Sequence, residues 1–248
     1  MFSLDLESAQ PDRDLLIAEL FEAGCRGINE LSDSRLRAFF DDETSVEASR
    51  TRFGGTVQPA DQRDWVTEAQ QSWEPQLIGE RFFLVPQWRD DPTPPGRFRI
   101  VVNNGLAFGT GKHETTRLCL TLLEKWVKPG MTVLDIGTGS GILSEAALHL
   151  GAAHVFACDI DHTAVEIATL NGIAAFTGSA EAIRSNSADV LVANISPEAI
   201  TAMCDEVPRL LKHGGTAILS GLELHDAVPF QPAEMHTEGN WKALVVTF

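Results

Sequence analysis

A glycine-rich turn between a buried strand and a helix offers the clearest chemistry in the sequence. Residues Asp135 to Gly141 read Asp-Ile-Gly-Thr-Gly-Ser-Gly, at the end of the apolar run Thr132 to Ile136. Glycines let the backbone turn sharply and approach a ligand closely, and the first turn of a helix presents free N–H groups. The pattern therefore predicts a site for a nucleoside cofactor, either a dinucleotide or another type.

The spacing of the glycines separates these two types of cofactor. The dinucleotide fingerprint G-x-G-x-x-G requires glycine at position 142, where the chain has Ile142. The pattern instead resembles the first motif of class I methyltransferases, whose turn packs against the methionine part of S-adenosylmethionine. That resemblance implies cofactor contacts from Gly137, Thr138 and Gly139, and it places the Asp135 carboxylate near the ammonium group of the cofactor.

A second acidic residue ends the next predicted strand. Asp159 follows the run His154 to Cys158 and lies 24 residues after Asp135. A carboxylate at this place can accept hydrogen bonds from both ribose hydroxyls. Ile160 comes next and joins the predicted cofactor site. Asp161 lies one step into the loop, where a carboxylate is better suited to cap the following helix.

These motifs lie where strand and helix patterns alternate along the chain. The alternation predicts an α/β fold with a doubly wound, mostly parallel, Rossmann-like sheet and helices on both faces. Ligands of such sheets bind beyond the carboxyl ends of the strands. The predicted strands are Thr132–Ile136, His154–Cys158, Ala188–Ala193 and Thr216–Ser220, and the predicted helices are Thr116–Trp126, Ile142–Leu150, Thr163–Leu170 and Glu198–Leu211.

The beginning of the chain has a different organisation. Residues 1–55 combine short strand patterns with a helical pattern over Asp12–Ala23, which predicts a small α+β domain for substrate recognition. Residues 56–64 are expected to form a linker, and residues 65–248 the larger domain. The first segment of that domain, Trp65–Trp73, suggests a short helix.

Composition limits the partners of the protein. The formal net charge is −16, and Lys and Arg form no cluster, so direct binding to nucleic acid is not expected. The acidic surface is either simply well solvated or attracts a basic partner. The four cysteines lie far apart, without the spacing of metal ligands. We expect a cytoplasmic protein with reduced thiols, no metal, no membrane segment and a monomeric state.

A second glycine-rich segment, Asn104 to Arg117, precedes the predicted sheet. Its glycines provide backbone freedom, Phe108 can cover an apolar surface, and threonines such as Thr110 can donate hydrogen bonds. This composition predicts a loop that folds over a ligand. His113, in the same segment, is predicted either to relay a proton or to hold the loop in place.

With this segment included, the chain is similar to bacterial ribosomal protein L11 methyltransferases over roughly residues 62–248. The shared features, in the family's order, are Ala107–Gly111, His113, Thr115–Thr116, Asp135–Gly141, Asp159–Asp161 and Val192–Ile195. The resemblance implies a ferredoxin-like N-terminal domain and S-adenosylmethionine as the methyl donor. It also implies that the acceptors are amino groups of a basic ribosomal protein, namely lysine side chains and the N-terminal amine.

The resemblance carries individual roles to this sequence. It implies that Thr116, Gly137, Asp159 and Asn194 contact the cofactor, and that Phe108 and Thr110 lie in the loop beside it. Asn194 and His113 are the catalytic candidates, because the Asn194 amide ends a strand beside the expected methyl group and can orient an amine. Ser196–Pro197 departs from the family pattern. Two alternatives therefore stay open: a methyltransferase for another protein or a small amine, and a non-catalytic cofactor-binding module.

Overall fold

The computed structural model of the protein describes residues 2–7, 13–32, 34–59, 74–102, 111 and 113–248. The chain divides into two compact units, Met1–Ser72 and Trp73–Phe248. In the described part of the chain, none of the helices has the length and apolar character needed to cross a membrane. The predicted helix Trp65–Trp73 and the loop around Phe108 lie outside the described residues.

The first unit has the strand and helix order of a ferredoxin-like fold. Its elements are β1 (Phe2–Glu7), α1 (Arg13–Glu22), β2 (Gly27–Ser32), β3 (Arg35–Phe40), α2 (Glu43–Phe53) and β4 (Thr56–Pro59). The four strands form an antiparallel sheet in the order β2-β3-β1-β4. Leu4 and Leu6 of β1, Phe40 of β3 and Val46 of α2 are buried together in the core of this unit.

The structure corrects one boundary of this unit. Residues 56–64 were expected to be a linker, but Thr56–Pro59 form β4, which pairs with β1. The Gly54–Gly55 pair, which suggests a linker in the sequence, is the turn between α2 and β4. Pairing with an edge of the sheet and contact of Val57 with the core stabilise this short strand, and neither is visible in a four-residue pattern.

The second unit contains the predicted parallel sheet. Its strands are β5 (Gln76–Ile78), β6 (Phe82–Pro86), β7 (Phe98–Val102), β8 (Thr132–Ile136), β9 (His154–Asp159), β10 (Ala175–Thr177), β11 (Ala188–Asn194), β12 (Leu211–Glu223), β13 (Glu234–Glu238) and β14 (Trp241–Thr247). Its helices are α3 (Glu114–Trp126), α4 (Ile142–His149), α5 (His162–Leu170), α6 (Pro197–Ala202) and α7 (Glu206–Leu210).

The large sheet has the order β10-β9-β8-β11-β12-β14-β13. The strands from β10 to β12 are parallel, whereas β14 and β13 are antiparallel additions at one side. Strands β5 to β7 form a separate three-stranded sheet. The strand order changes direction between β8 and β11, and in open α/β sheets ligands bind at such a switch point.

Alternation along the strands explains the two layers of helices. Val190 and Val192 of β11 belong to the core that includes residues of α3 and α4, whereas Leu191 and Ala193 belong to the core with residues of α6 and α7. Successive side chains of a strand point to opposite faces, so one apolar run serves both layers. The doubly wound fold expected from the sequence is confirmed.

The helix predicted over Glu198–Leu211 is wrong in two respects. It is split into α6 and α7, and Leu211 already begins β12. Pro208 explains the split, because proline lacks an N–H and is tolerated only in the first turn of a helix. Gly214–Gly215, expected to close the helix, lie within β12, where they exchange main-chain hydrogen bonds with Phe248.

Candidate active site

A cavity of about 850 Å³ lies beyond the carboxyl ends of the parallel strands. This volume is within the range of about 300–1,000 Å³ that is typical of small-molecule sites. Residues at the carboxyl ends of four neighbouring strands contribute to its wall. They are Gly137 to Gly139 after β8, Asp159 and Ile160 at the end of β9, Asn194 and Ile195 at the end of β11, and Gly221 and Glu223 near the end of β12. The cavity therefore extends along the edge of the sheet across the switch point.

The glycine turn is held against two neighbouring strands. The N–H groups of Gly137 and Thr138 donate to the carbonyl oxygen of Cys158, at 2.9 and 3.1 Å. Gly137 has a φ of +74°, and a Cβ at this position would lie 2.2 Å from Cγ2 of Ile195. Glycine is thus required both by the backbone conformation and by the close approach of Ile195. The turn lines the cavity through Gly137, Thr138 and Gly139, three of the residues predicted to contact the cofactor.

Among the predicted contact residues that the structure describes, Asp135 alone lies elsewhere. Its side chain is buried at 1% exposure and does not line the cavity. Its Oδ2 accepts hydrogen bonds from the hydroxyls of Thr138 (2.8 Å) and Ser144 (2.6 Å). Burial raises the pKa of the Asp135 carboxyl. The residue therefore ties the glycine turn to helix α4, which corrects the expected direct contact with the cofactor.

Asp159 has the geometry of a fixed hydrogen-bond acceptor. Its Oδ2 accepts from the N–H of Gly139 at 2.9 Å, and its Oδ1 accepts from the N–H of Asp161 at 3.0 Å. An ionised carboxylate has about four acceptor sites, so both oxygens retain capacity for hydroxyl groups of a ligand. Ile160 is 83% exposed and lines the same end of the cavity. This is the arrangement a ribose needs.

The prediction for Asp161 is confirmed. It is the N-cap of α5, and its Oδ1 accepts from the N–H of Thr163 at 2.8 Å. Its carboxylate is therefore already used to satisfy one of the free N–H groups of the helix. Of the two neighbouring aspartates, Asp159 alone lines the cavity.

Thr116 and Asn194 meet near the middle of the cavity wall. Thr116 lies in the first turn of α3, and Asn194 ends β11. The Asn194 Nδ2 donates to Oγ1 of Thr116 at 3.4 Å. This contact orients the amide so that its Oδ1 is the atom left to accept a hydrogen bond from a ligand. The sequence places the two residues 78 positions apart, and the structure brings them together.

His113 is anchored at the start of α3. Its Nδ1 accepts from the N–H of Thr115, which makes it the N-cap, and lies 2.8 Å from the Thr115 hydroxyl oxygen. Its ring makes a T-shaped contact with the ring of Trp241, with centroids 4.5 Å apart. These contacts support the anchoring role among the two alternatives predicted for His113. The other predicted loop residues, Phe108 and Thr110, lie outside the described residues.

Several cavity residues are not evident from the sequence. They come from the 3-10 turn after β10, from the start of α7, from the end of β12 and the turn after it, and from the start of β14: Ser179, Glu181, Glu206, Glu223, His225, Asp226 and Trp241. Their common chemical signal is negative charge. Five carboxylates line the cavity, those of Asp159, Glu181, Glu206, Glu223 and Asp226, and the lining within the described residues contains neither Lys nor Arg. The cavity therefore favours a cationic ligand group.

The volume and the lining chemistry of the cavity suit S-adenosylmethionine. Asp159 offers carboxylate oxygens as hydrogen-bond acceptors, Ile160 offers an exposed apolar side chain, and the turn at Gly137 offers a backbone wall. The carboxylates suit a cofactor that carries ammonium and sulfonium charges. A parallel sheet of this order, with a glycine turn after β8, defines the class I S-adenosylmethionine-dependent methyltransferases.

Comparison with known proteins narrows the class to one family. A family model described as ribosomal protein L11 methyltransferase (PrmA) matches residues 17–247. The chain belongs to the ribosomal protein L11 methyltransferase family. The ribosomal protein L11 methyltransferase of Symbiobacterium thermophilum is 36% identical over 229 residues, which cover 88% of this chain and 72% of that protein.

Two further relatives agree with this result. The ribosomal protein L11 methyltransferase of Bacillus cytotoxicus is 41% identical over 176 residues, 67% of this chain and 56% of that protein. The crystal structure of the ribosomal protein L11 methylase from Lactobacillus delbrueckii subsp. bulgaricus has a TM-score of 0.62 at 30% identity, and the match covers 70% of this chain and 98% of that chain. The aligned part of this chain thus spans only slightly more than half of the Bacillus cytotoxicus protein.

Proposed function

We propose that the protein transfers methyl groups from S-adenosylmethionine to amino groups of ribosomal protein L11, at lysine side chains and the N-terminal amine. The observation that carries this proposal is the contact of Asn194 with Thr116 in the same cavity as Asp159. It combines a fixed acceptor for a ribose with an oriented amide for an amine. The name of the family supplies the identity of the acceptor protein.

In this proposal, the end of the cavity at β9 holds the donor. The Asp159 carboxylate binds the ribose hydroxyls, and Gly137 to Gly139 pack against the methionine part. When bound, the donor supplies a methyl group on a sulfonium, which is already activated toward displacement. The protein therefore contributes orientation, proximity and the exclusion of water, rather than a dedicated nucleophile.

The end of the cavity at β11 and β12 receives the acceptor. The Oδ1 of Asn194 accepts a hydrogen bond from the amine and directs its lone pair toward the methyl group. The amine must be neutral to react, and a lysine side chain is normally protonated near neutral pH. Burial in the cavity lowers the pKa of the amine, while carboxylates such as Glu223 attract the cation and oppose that shift. The proton can leave to solvent before transfer.

The test is methyl transfer from labelled S-adenosylmethionine to purified ribosomal protein L11. We expect label on L11 and none on L11 whose amino groups have been blocked by acetylation. Replacement of Asn194 by Ala should lower kcat by a larger factor than it weakens the binding of S-adenosylmethionine, measured by calorimetry. Asn194→Asp provides a matched variant, because it keeps the side-chain shape but removes the amide that donates to Thr116.

The alternatives are distinct outcomes of the same experiment. Binding of S-adenosylmethionine with label on another protein or a small amine, when these are supplied in place of L11, and none on L11 would change the acceptor but keep methyl transfer as the reaction. Binding without transfer to any tested acceptor would indicate a non-catalytic module. Label on L11 that survives acetylation would contradict the assignment to amino groups.

A further inference from the structure

A buried lysine holds the turn after β12, several residues of which line the cavity. Lys242, in β14, has 7% exposure. Its Nζ donates to two main-chain carbonyl oxygens, those of Leu224 at 3.0 Å and Asp226 at 2.6 Å. A buried ammonium has a high cost of desolvation unless it is hydrogen-bonded. The side chain and the turn that carries these carbonyls therefore hold each other in place.

The turn held by Lys242 forms one wall of the cavity. Glu223, His225 and Asp226 line the cavity, whereas the Leu224 and Asp226 carbonyls face the lysine. The turn has further ties, because Leu224 N–H donates to the Asn240 carbonyl at 2.9 Å and Glu223 N–H donates to the Asp226 carboxylate at 2.7 Å. Lys242 is the side chain that connects the turn to the buried sheet.

This wall is far from the donor end. Asp159 ends β9 and the turn follows β12, and β8 and β11 lie between them in the sheet. Three strand-to-strand steps of about 4.8 Å place the two ends roughly 14 Å apart. A change in the turn should therefore affect the acceptor and leave the donor contacts at Asp159 intact.

We propose that Lys242 is a positioning residue for the acceptor amine, acting through the Leu224–Asp226 turn. The inference rests on the proposed methyl transfer to amino groups. Lys242 itself does not contact the substrate. Its ammonium fixes the direction in which Glu223 and Asp226 present their carboxylates to a cationic acceptor.

The test replaces Lys242 by Met, which keeps the length of the side chain and removes the ammonium. Lys212→Met is the matched control, because the Lys212 Nζ also makes a 2.8 Å hydrogen bond, to Asp189, outside the cavity lining. Two readouts are needed. Hydrogen exchange of the peptide containing residues 223–226 reports whether the turn is released, and methylation of L11 reports the consequence for the acceptor.

For Lys242→Met we expect faster exchange in this peptide and a KM for L11 that is about tenfold higher, as expected from the loss of charged hydrogen bonds. The affinity for S-adenosylmethionine should stay within about twofold of the wild type. Lys212→Met should change neither the exchange of this peptide nor the KM for L11. Lys242→Gln, which restores one donor, should give intermediate values and carries the comparison if Lys242→Met does not fold.

Three results would overturn the inference: unchanged exchange of the 223–226 peptide, faster exchange with an unchanged KM for L11, or an equal loss of donor and acceptor affinity. The exchange measurement needs no acceptor. If the wild-type protein does not methylate L11 at all, the proposed function fails. Hydrogen exchange of the turn still tests whether Lys242 holds it in place.

Discussion

Ile195 is enclosed by two glycines, and this arrangement gives the sharpest prediction. A Cβ on Gly221 would lie 2.1 Å from the Ile195 carbonyl oxygen and 2.9 Å from its carbon, whereas a Cβ on Gly137 would meet only the Ile195 side chain, at 2.2 Å from Cγ2. The first contact is with main-chain atoms and the second is with one methyl group. Shortening Ile195 should therefore rescue an alanine at 137 but not one at 221.

The loss of stability expected for Gly221→Ala has two parts. Gly221 has a φ of +89°, and an alanine in such a conformation costs about 1–2 kcal/mol. The overlap with the Ile195 main chain adds about 1–3 kcal/mol. Gly130 is the matched control, because its φ is +88° and no atom lies within 4 Å of the Cβ position. Gly130→Ala should therefore show only the cost of placing alanine in this backbone conformation.

Thermal unfolding without ligand measures the difference. For a domain of this size, about 1 kcal/mol corresponds to a shift of about 2–4 °C in Tm. Gly221→Ala should therefore melt roughly 2–12 °C below Gly130→Ala. In double-mutant cycles with Ile195→Ala, Gly137→Ala should show a favourable coupling of about 1–3 kcal/mol, and Gly221→Ala a coupling near zero. Rescue of Gly221→Ala, or no rescue of Gly137→Ala, would refute the reasoning.

Three other substitutions test the site and its support. Asp159→Asn should weaken binding of S-adenosylmethionine by about tenfold or more in calorimetry, whereas Asp161→Asn, which affects only the cap of α5, should leave it unchanged; equal losses would argue against the ribose role. Thr116→Val should lower kcat by about two- to tenfold, because it removes the hydroxyl that orients Asn194; unchanged kcat under saturating conditions would contradict this. Burial raises the pKa of Glu145 to about 7. Because an unfolded Glu titrates near about 4.3, the folded state binds the extra proton, and stability should fall as pH rises from about 4 to 7. Denaturant unfolding of the Glu145→Gln variant should show no such loss over the same pH range. Parallel pH profiles of the variant and the wild-type protein would contradict the assignment of this loss to Glu145.

Long apolar segments made the centre of the sheet predictable. Strand β8 has the predicted bounds, and β11 extends one residue beyond its predicted end. The three-residue β10 was not predicted, because so short a run has no period of its own and is defined only by pairing with β9. The start of β12 was missed for a related reason. Its residues 211–215 include two glycines and are held by hydrogen bonds to Phe248 at the far end of the chain.

The Asp135 side chain lies away from the cavity for a specific physical reason. The motif suggests a side chain at the turn, but Asp135 still belongs to β8. It therefore points to the same face as Val133, toward the helices α3 and α4, where it meets Ser144. Asp159, in contrast, is the last residue of its strand and reaches the N–H of Gly139. The motifs identified both residues. The direction of each side chain along its strand then determines that Asp159, and not Asp135, reaches the cavity.

The cavity wall that contains Glu223 depends on an irregularity that no local pattern predicts. Leu219 pairs with Leu244, but Leu222 pairs with Lys242, so β12 has one more residue than β14 between these pairs. This bulge at Ser220–Gly221 reverses the alternation, and Leu219 and Leu222 both join the same core. In a regular strand Glu223 would share the apolar face of Leu219. The bulge turns Glu223 to the cavity. Gly221, which lies in this bulge, also approaches the main chain of Ile195, the residue after Asn194, so closely that a Cβ would overlap with it. The same glycine therefore lies beside both Asn194 and the carboxylate of Glu223 in the wall of the cavity.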